Sequence, residues 1–286
     1  MIYDYNSEIR LGKVSLYVNH LQTMTEFYTN IIGFSILSQD SQKTELTIDG
    51  KDVLLELLQT EQAKEKTYGL YHTAILVPDK NYLGLALEHL LRSQTQVEGA
   101  ADHGYSEAIY LSDPEGNGIE IYYDKDTSFW DIRPDGQIIG VTDPMDAKSM
   151  LDNLTSIPET FKLAQGTKIG HVHLSVKDAL ASSKLYQKVF SMRNKMTIST
   201  ASWISSGDYH HHLAFNNWDG PRLAKHEQGI PGLNYITIEY SNPSAFTSSL
   251  KNASDNGMTL LDHQDKSFTV LDNDGIQTKV ILTKSN

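Results

Sequence analysis

His72, Glu120 and His171 are the residues of this chain best suited to hold a metal. The chain has no cysteine, which excludes thiolate sites, disulfides, iron–sulfur clusters and a cysteine nucleophile. Histidine, carboxylate and carbonyl oxygen remain as ligands. Two imidazoles and one carboxylate form the facial set that leaves open positions on non-haem Fe(II), and the same set suits Mn(II), Ni(II) or Zn(II). His173 follows in Gly170-His171-Val172-His173-Leu174 and shares a face with His171 by strand alternation. It competes for the ligand position, or stands one step along the same wall.

A second cluster, His210-His211-His212, precedes Leu213-Ala214-Phe215-Asn216. Alternation puts His211 on one face and its two neighbours on the other. The bland reading is a surface histidine run. The sharper one sets His211 beside the metal as a base, since imidazole changes charge near neutral pH. A third stretch, Asp102-His103-Gly104-Tyr105-Ser106 leading to Tyr110, adds a loop histidine and an aromatic hydroxyl.

Four copies of one plan position these residues. Residues 13–58 read as strand, helix and three strands: an alternating run Val14 to Val18, then a helical stripe Met24, Phe27, Tyr28, Ile31, Ile32 closed by Gly33. A turn at Asp49-Gly50 separates two apolar runs. The βαβββ order returns over residues 70–123, 169–217 and 233–282, giving modules one to four. Module one resembles three (Phe27-Tyr28 against Leu185-Tyr186), and two resembles four (Gly69-Leu70-Tyr71-His72 against Gly232-Leu233-Asn234-Tyr235), so a two-module unit duplicated. The expected fold is α+β: four βαβββ modules in two tandem domains, residues 1–125 and 166–286, forming curved, barrel-like mixed sheets. Residues 126–165, with Pro134-Asp135-Gly136, Pro144 and Pro158 around one short helical pattern near residues 147–154, read as a connector packed on the surface.

The repeat lets the chain serve as its own alignment. First strands place Lys13, His72, His171 and Tyr235 at one position, and last strands set Glu120 opposite Lys279. A lone strand histidine is ordinarily a hydrogen-bonded core or surface residue, and Glu120 alone, after Asn117-Gly118, reads as solvent-facing. If position served only packing, polar types would not segregate into modules two and three, because strand interiors prefer apolar residues. One working site between modules two and three, and one vestigial site, follow.

Composition removes other functions. A net charge of -12 disfavours a phosphate backbone as partner, so no nucleic acid is expected. No apolar run approaches the roughly 18 residues of a membrane span, and the amino terminus lacks a basic-then-apolar leader, so a cytoplasmic protein without membrane association is expected. An unpaired sheet edge would support a homo-oligomer, although no segment marks an interface.

Four βαβββ modules carrying Gly69-Leu70-Tyr71-His72, Asp102-His103, Asp113-Pro114-Glu115-Gly116, Glu120, Gly170-His171 and His210-His211 resemble the vicinal oxygen chelate (glyoxalase/bleomycin resistance/dioxygenase) superfamily. Within it the chain is similar to the type I extradiol ring-cleaving dioxygenases, in the branch of bacillus-type catechol 2,3-dioxygenases. The resemblance implies two glyoxalase-like domains, Fe(II) on His72, His171 and Glu120, and a small aromatic diol and O2 as substrates. It makes His211 the base and has His103 and Tyr110 contact the substrate oxygens, with the ring opening beside the hydroxyls. Better-known two-domain members keep the site in the carboxy-terminal domain. Here module four lacks the ligands, and the set is complete only across the domain boundary.

Two other functions fit the same scaffold. A glyoxalase I-like lyase or thiol transferase would use Zn(II), Ni(II) or Mn(II), commonly with a carboxylate where this chain has His211. A protein that sequesters a small aromatic or an antibiotic would bind without turnover.

Overall fold

The computed structural model describes residues 3–283. Two large mixed sheets carry the molecule, one of eight strands and one of nine, with helices on their outer faces. Each sheet is assembled from both halves of the chain. The eight-stranded sheet joins module four to module one, through the antiparallel pair Ile9–Val18 and Gly232–Tyr240. The nine-stranded sheet joins module two to module three, through Gly69–Leu76 and Lys168–Ser175. Within every module the first and last strands run parallel, as Gly69–Leu76 does beside Gly118–Asp124. Both sheets are open: their outermost strands do not pair with one another.

The expected helices form for local reasons. Lys80–Arg92 begins at Asp79, whose carboxylate accepts from the Asn81 and Tyr82 backbone N–H groups, and Leu83, Ala86, Leu87 and Leu90 recur at helical spacing on its buried face. Ala179–Phe190 is capped in the same way by Asp178 and buries Tyr186, Val189 and Phe190. In module one the helix starts as Leu21–Glu26 and widens into a π-helical turn, Phe27–Ile32, before Gly33 closes it at φ 96°. The Tyr28 hydroxyl donates to Asp113 at 2.9 Å, tying module one's helix to module two's last turn. Tyr186 donates to Asp272 at 3.1 Å, the matching contact between modules three and four.

Residues 126–165 differ from a surface connector. Trp130, Ile138, Met145, Met150, Phe161 and Leu163 are buried, and Asp143–Pro144 pairs with Gly99–Asp102 as an extra edge strand of the nine-stranded sheet. The prolines end regular structure at intervals, but the apolar residues between them still find core to fill. The short helix Ala147–Asp152 packs Met150 against Gly84 of the module-two helix. No helix among the described residues is long and apolar enough to cross a membrane.

Candidate active site

Three neighbouring strands of the nine-stranded sheet carry His72, Glu120 and His171. Ala74 is the reference point: Glu120 is its partner on one side and His171 on the other, while His72 lies two residues along the same face. The small side chain of Ala74, fully buried, leaves room for three ligands to lean together. Their ligand atoms lie within 4.8 Å of one another. Glu120 Oε2 is 3.0 Å from the Nε2 atoms of both His171 and His72. Two glycines permit this approach. A Cβ on Gly118 would strike the Tyr71 backbone, and one on Gly170 would overlap the Tyr122 hydroxyl.

The protonation state suits metal. Burial pushes the Glu120 carboxyl up, but the imidazoles of His171 and His72 outweigh it and hold the group well below the usual carboxylate range. Burial also lowers His171, to about 4, against the pull of Glu120, so its imidazole is neutral near pH 7. His72 Nε2 is buried and, although 3.0 Å from Glu120 Oε2, makes no well-aligned hydrogen bond among the described residues. Buried polar atoms in that condition ask for a ligand. The two imidazoles and the carboxylate therefore fit a divalent ion on donor type, charge and reach.

His173 lies outside this converging set. It pairs with His72 in register, their rings are 5.0 Å apart, and it is buried in the wall of the same cavity.

His210, His211 and His212 lie in the turn before the strand Leu213–Asn216 rather than on it, and all three are buried, which differs from a surface run. His211 enters the cavity with its ring 4.1 Å from that of His171. Burial and the surrounding imidazoles keep it well below the ordinary histidine value, hence neutral. Its Nδ1 is 2.7 Å from His210 Nδ1, and His210 Nε2 is 2.8 Å from Asp124 Oδ1. This chain of contacts constrains the tautomers. A carboxylate only accepts, so His210 donates to Asp124 from Nε2; in the tautomer where that is its one proton, its Nδ1 accepts from His211 Nδ1–H, which leaves a lone pair on His211 Nε2. Tyr5 and Tyr209 also donate to Asp124, at 3.3 and 3.4 Å.

His103 and Tyr110 stand on the other side of the His72–Glu120–His171 triad, Tyr110 on the strand next to that of Glu120. The Val141 carbonyl accepts from His103 Nδ1 at 2.7 Å; in the tautomer with its one proton there, His103 Nε2 accepts from the Tyr110 hydroxyl at 2.6 Å. Tyr110 pairs with Glu120 across the strands. Burial, with the Glu120 charge, pushes its phenol far up and keeps it protonated. Gly104, at φ 81°, makes the tight turn that returns the chain toward Tyr110, and Asp102 accepts from its N–H. His72, Glu120, His171, His173, His211, His103 and Tyr110 line one cavity of about 680 Å³, to which Gly140, Val141 and Thr142 also contribute.

Sequence reasoning missed Asp124, Val141 and Ala74. Asp124 had a usable signal: it follows Glu120 by four residues on one strand and so shares its face. Val141 had none, because its role is a backbone carbonyl.

The eight-stranded sheet holds the counterpart of this site. Lys13 Nζ lies 2.9 Å from Glu56 Oε2, the Tyr235 hydroxyl donates to Glu56 at 2.9 Å, and Lys279 Nζ sits 5.8 Å from the Tyr235 ring centre. Glu56 was not singled out by the alignment of modules. Its charge is met by a fixed ammonium, so the counterpart carries its own cation. Among the described residues His72, Glu120 and His171 are the one group gathered in metal-binding geometry.

A buried triad of two histidines and a carboxylate, set on a sheet built from paired βαβββ modules, defines a vicinal-oxygen-chelate type of protein. The chain belongs to the Glyoxalase/Bleomycin resistance protein/Dioxygenase superfamily, whose family model matches residues 10–121. It is 36% identical over 239 residues to the catechol-2,3-dioxygenase of Bacillus subtilis (strain 168), covering 82% of this chain and 83% of that protein. Two solved structures share the fold. A chain from Bacillus subtilis subsp. subtilis str. 168 gives a TM-score of 0.66 at 11% identity, covering 96% of this chain and 85% of that one. Glyoxalase I from Zea mays gives 0.59 at 16% identity, covering 96% and 92%.

Proposed function

We propose that this protein is a metal-dependent extradiol dioxygenase of aromatic catabolism in the cytoplasm, cleaving a catechol-type ring with O2, with Fe(II) held by His72, Glu120 and His171. The observation that carries the reading is the arrangement of one cavity: the triad stands between a neutral His211 on one side and the Tyr110–His103 pair on the other. The name of the Bacillus subtilis relative supports the same reaction.

Fe(II) at the triad would supply Lewis acidity toward the diol and one-electron chemistry toward O2. His211 Nε2, left bare by the contacts through His210 to Asp124, accepts the proton of one diol hydroxyl. Opposite, the Tyr110 hydroxyl, whose one hydrogen rests on His103 Nε2 in the free site, would turn that hydrogen toward the oxygen that gains negative charge, with Val141 holding the His103 ring in place. In a dioxygenase of this type the carbon–carbon bond beside the two hydroxyls breaks and both atoms of O2 enter the product. Mass spectrometry of the product formed from isotopically heavy O2 tests this. Two heavy atoms per ring-opened molecule are expected; an unlabelled product, or an isomer of the substrate, would instead indicate a lyase of the glyoxalase kind.

A further inference from the structure

The cavity runs outward from the triad into an arm with aromatic walls. The Tyr71 ring stands 5.4 Å from that of His72, 5.0 Å from His173 and 5.2 Å from Trp218. Trp218 in turn lies 5.3 Å from His173, and Trp203 flanks His173 at 6.2 Å. Trp218 is held in place by its indole N–H, which donates to Thr200 at 3.0 Å. Tyr71 is 39% exposed and Trp218 46%, large values for rings that already touch one another. His173 is buried in this wall, and its Nε2 has no partner among the described residues.

The charges of the arm have one sign. Among the described residues no lysine or arginine lines the cavity, the Lys64 ammonium being held by the Glu115 carbonyl behind Gly116, whereas the exposed Glu98 and Asp219 do. Asp219 accepts from Ser175 at 2.6 Å, which orders it without neutralising it. Glu98 and Asp219 both line the same cavity as Tyr71, and Asp219 follows Trp218 directly in the chain.

We propose that this arm selects substrates by charge: it takes a ring substituent that is apolar or positively charged and rejects one that carries a carboxylate. The inference rests on the proposed diol site and specifies its substrate class. An anionic substituent would lose water beside two carboxylates with no cation in the lining of the arm to meet it. The faces of Tyr71, Trp203 and Trp218 attract apolar groups and cations alike, and repel anions by the same ring quadrupole. Asp219 and Glu98 are thus specificity-determining residues.

The test uses three catechols of similar size, bearing an ethyl, an aminoethyl or a carboxymethyl group, with the Fe(II)-loaded protein and its Asp219→Asn and Asp219→Asn/Glu98→Gln variants. The ethyl and aminoethyl compounds are expected to exceed the carboxymethyl compound in kcat/KM by roughly tenfold or more, and the variants to shrink that ratio several-fold. Anaerobic quenching of tryptophan fluorescence gives binding order without turnover. If no catechol is turned over but binding keeps this order, the charge selection stands and the dioxygenase reading falls. Equal or tighter binding of the carboxymethyl compound, or a ratio that ignores both substitutions, overturns the inference.

Discussion

Glu120 Oε2 and His171 Nε2 lie 3.0 Å apart, although 51 residues separate them and they come from different modules. The contact exists because the first strands of modules two and three pair in antiparallel register, with Ala74 opposite His171 and beside Glu120. Replacing His72, Glu120 or His171 by alanine is expected to remove the metal. Metal content after anaerobic Fe(II) loading should fall to roughly a tenth or less, because two protein ligands no longer complete the facial set. Retention of full metal by Glu120→Ala would show that another group binds it.

In the proposed reaction His211 moves a proton rather than holding metal. His211→Ala is expected to keep its iron and lose roughly a hundredfold or more in kcat, in the range general bases contribute. Asp124→Asn should lose about tenfold with metal intact, since an amide at that position no longer dictates the His210 tautomer. Metal analysis beside steady-state rates separates these outcomes from the ligand substitutions. Loss of iron in His211→Ala would make it a ligand.

Acid should destabilise the metal-free protein. Burial lowers His171 to about 4 and His212 to about 3, and lowers His173 and His211 well below the usual value of 6.5. The unfolded chain takes up protons near that value that the folded chain refuses, so the stabilisation is complete above it and is lost as pH falls toward the folded values. Each such histidine contributes up to about 1.4 kcal/mol per pH unit within that window. Urea midpoints of metal-free protein should drop steeply from about pH 7 to about pH 5, and less steeply in a His212→Asn variant. A flat profile would contradict the buried, neutral state of these rings.

The paired tyrosine contacts hold each half of the chain together. Tyr28→Phe removes the hydroxyl that donates to buried Asp113 and should cost about 1–3 kcal/mol, with a similar cost for Tyr186→Phe at Asp272. Chemical denaturation measures both. If the Tyr28→Phe change is neutral, Asp113 is satisfied by the Asn117 and Glu115 contacts alone.

Gly170→Ala should unsettle the site through its floor, because the added Cβ meets the Tyr122 hydroxyl next to His171. Overpacking of this kind costs about 1–3 kcal/mol. Tyr122→Phe in the same chain should recover part of the loss, which a purely backbone effect at residue 170 would not allow.

Much of this organisation was legible in the sequence. The repeat gave four equivalent positions, and the contrast of His72 and His171 with Lys13 and Tyr235 singled out modules two and three, the two that share a sheet. Aligning the last strands set Glu120 apart from Lys279. What was not legible depends on contacts between distant segments. Nothing in residues 126–165 announces that Val141 offers a carbonyl to His103. The role of Asp124 emerges only when His210 leaves the strand pattern and turns its ring inward. Glu56 escaped because its partners are Lys13 in its own module and Tyr235 in another.

The most direct measurement is O2 consumption by anaerobically Fe(II)-reconstituted protein given catechol, recorded together with near-ultraviolet and visible absorbance. Uptake matched one-to-one by a yellow ring-opened product, and absent in Glu120→Ala, is the expected result. No uptake across a panel of catechols, with iron still bound through His72, Glu120 and His171, would contradict it.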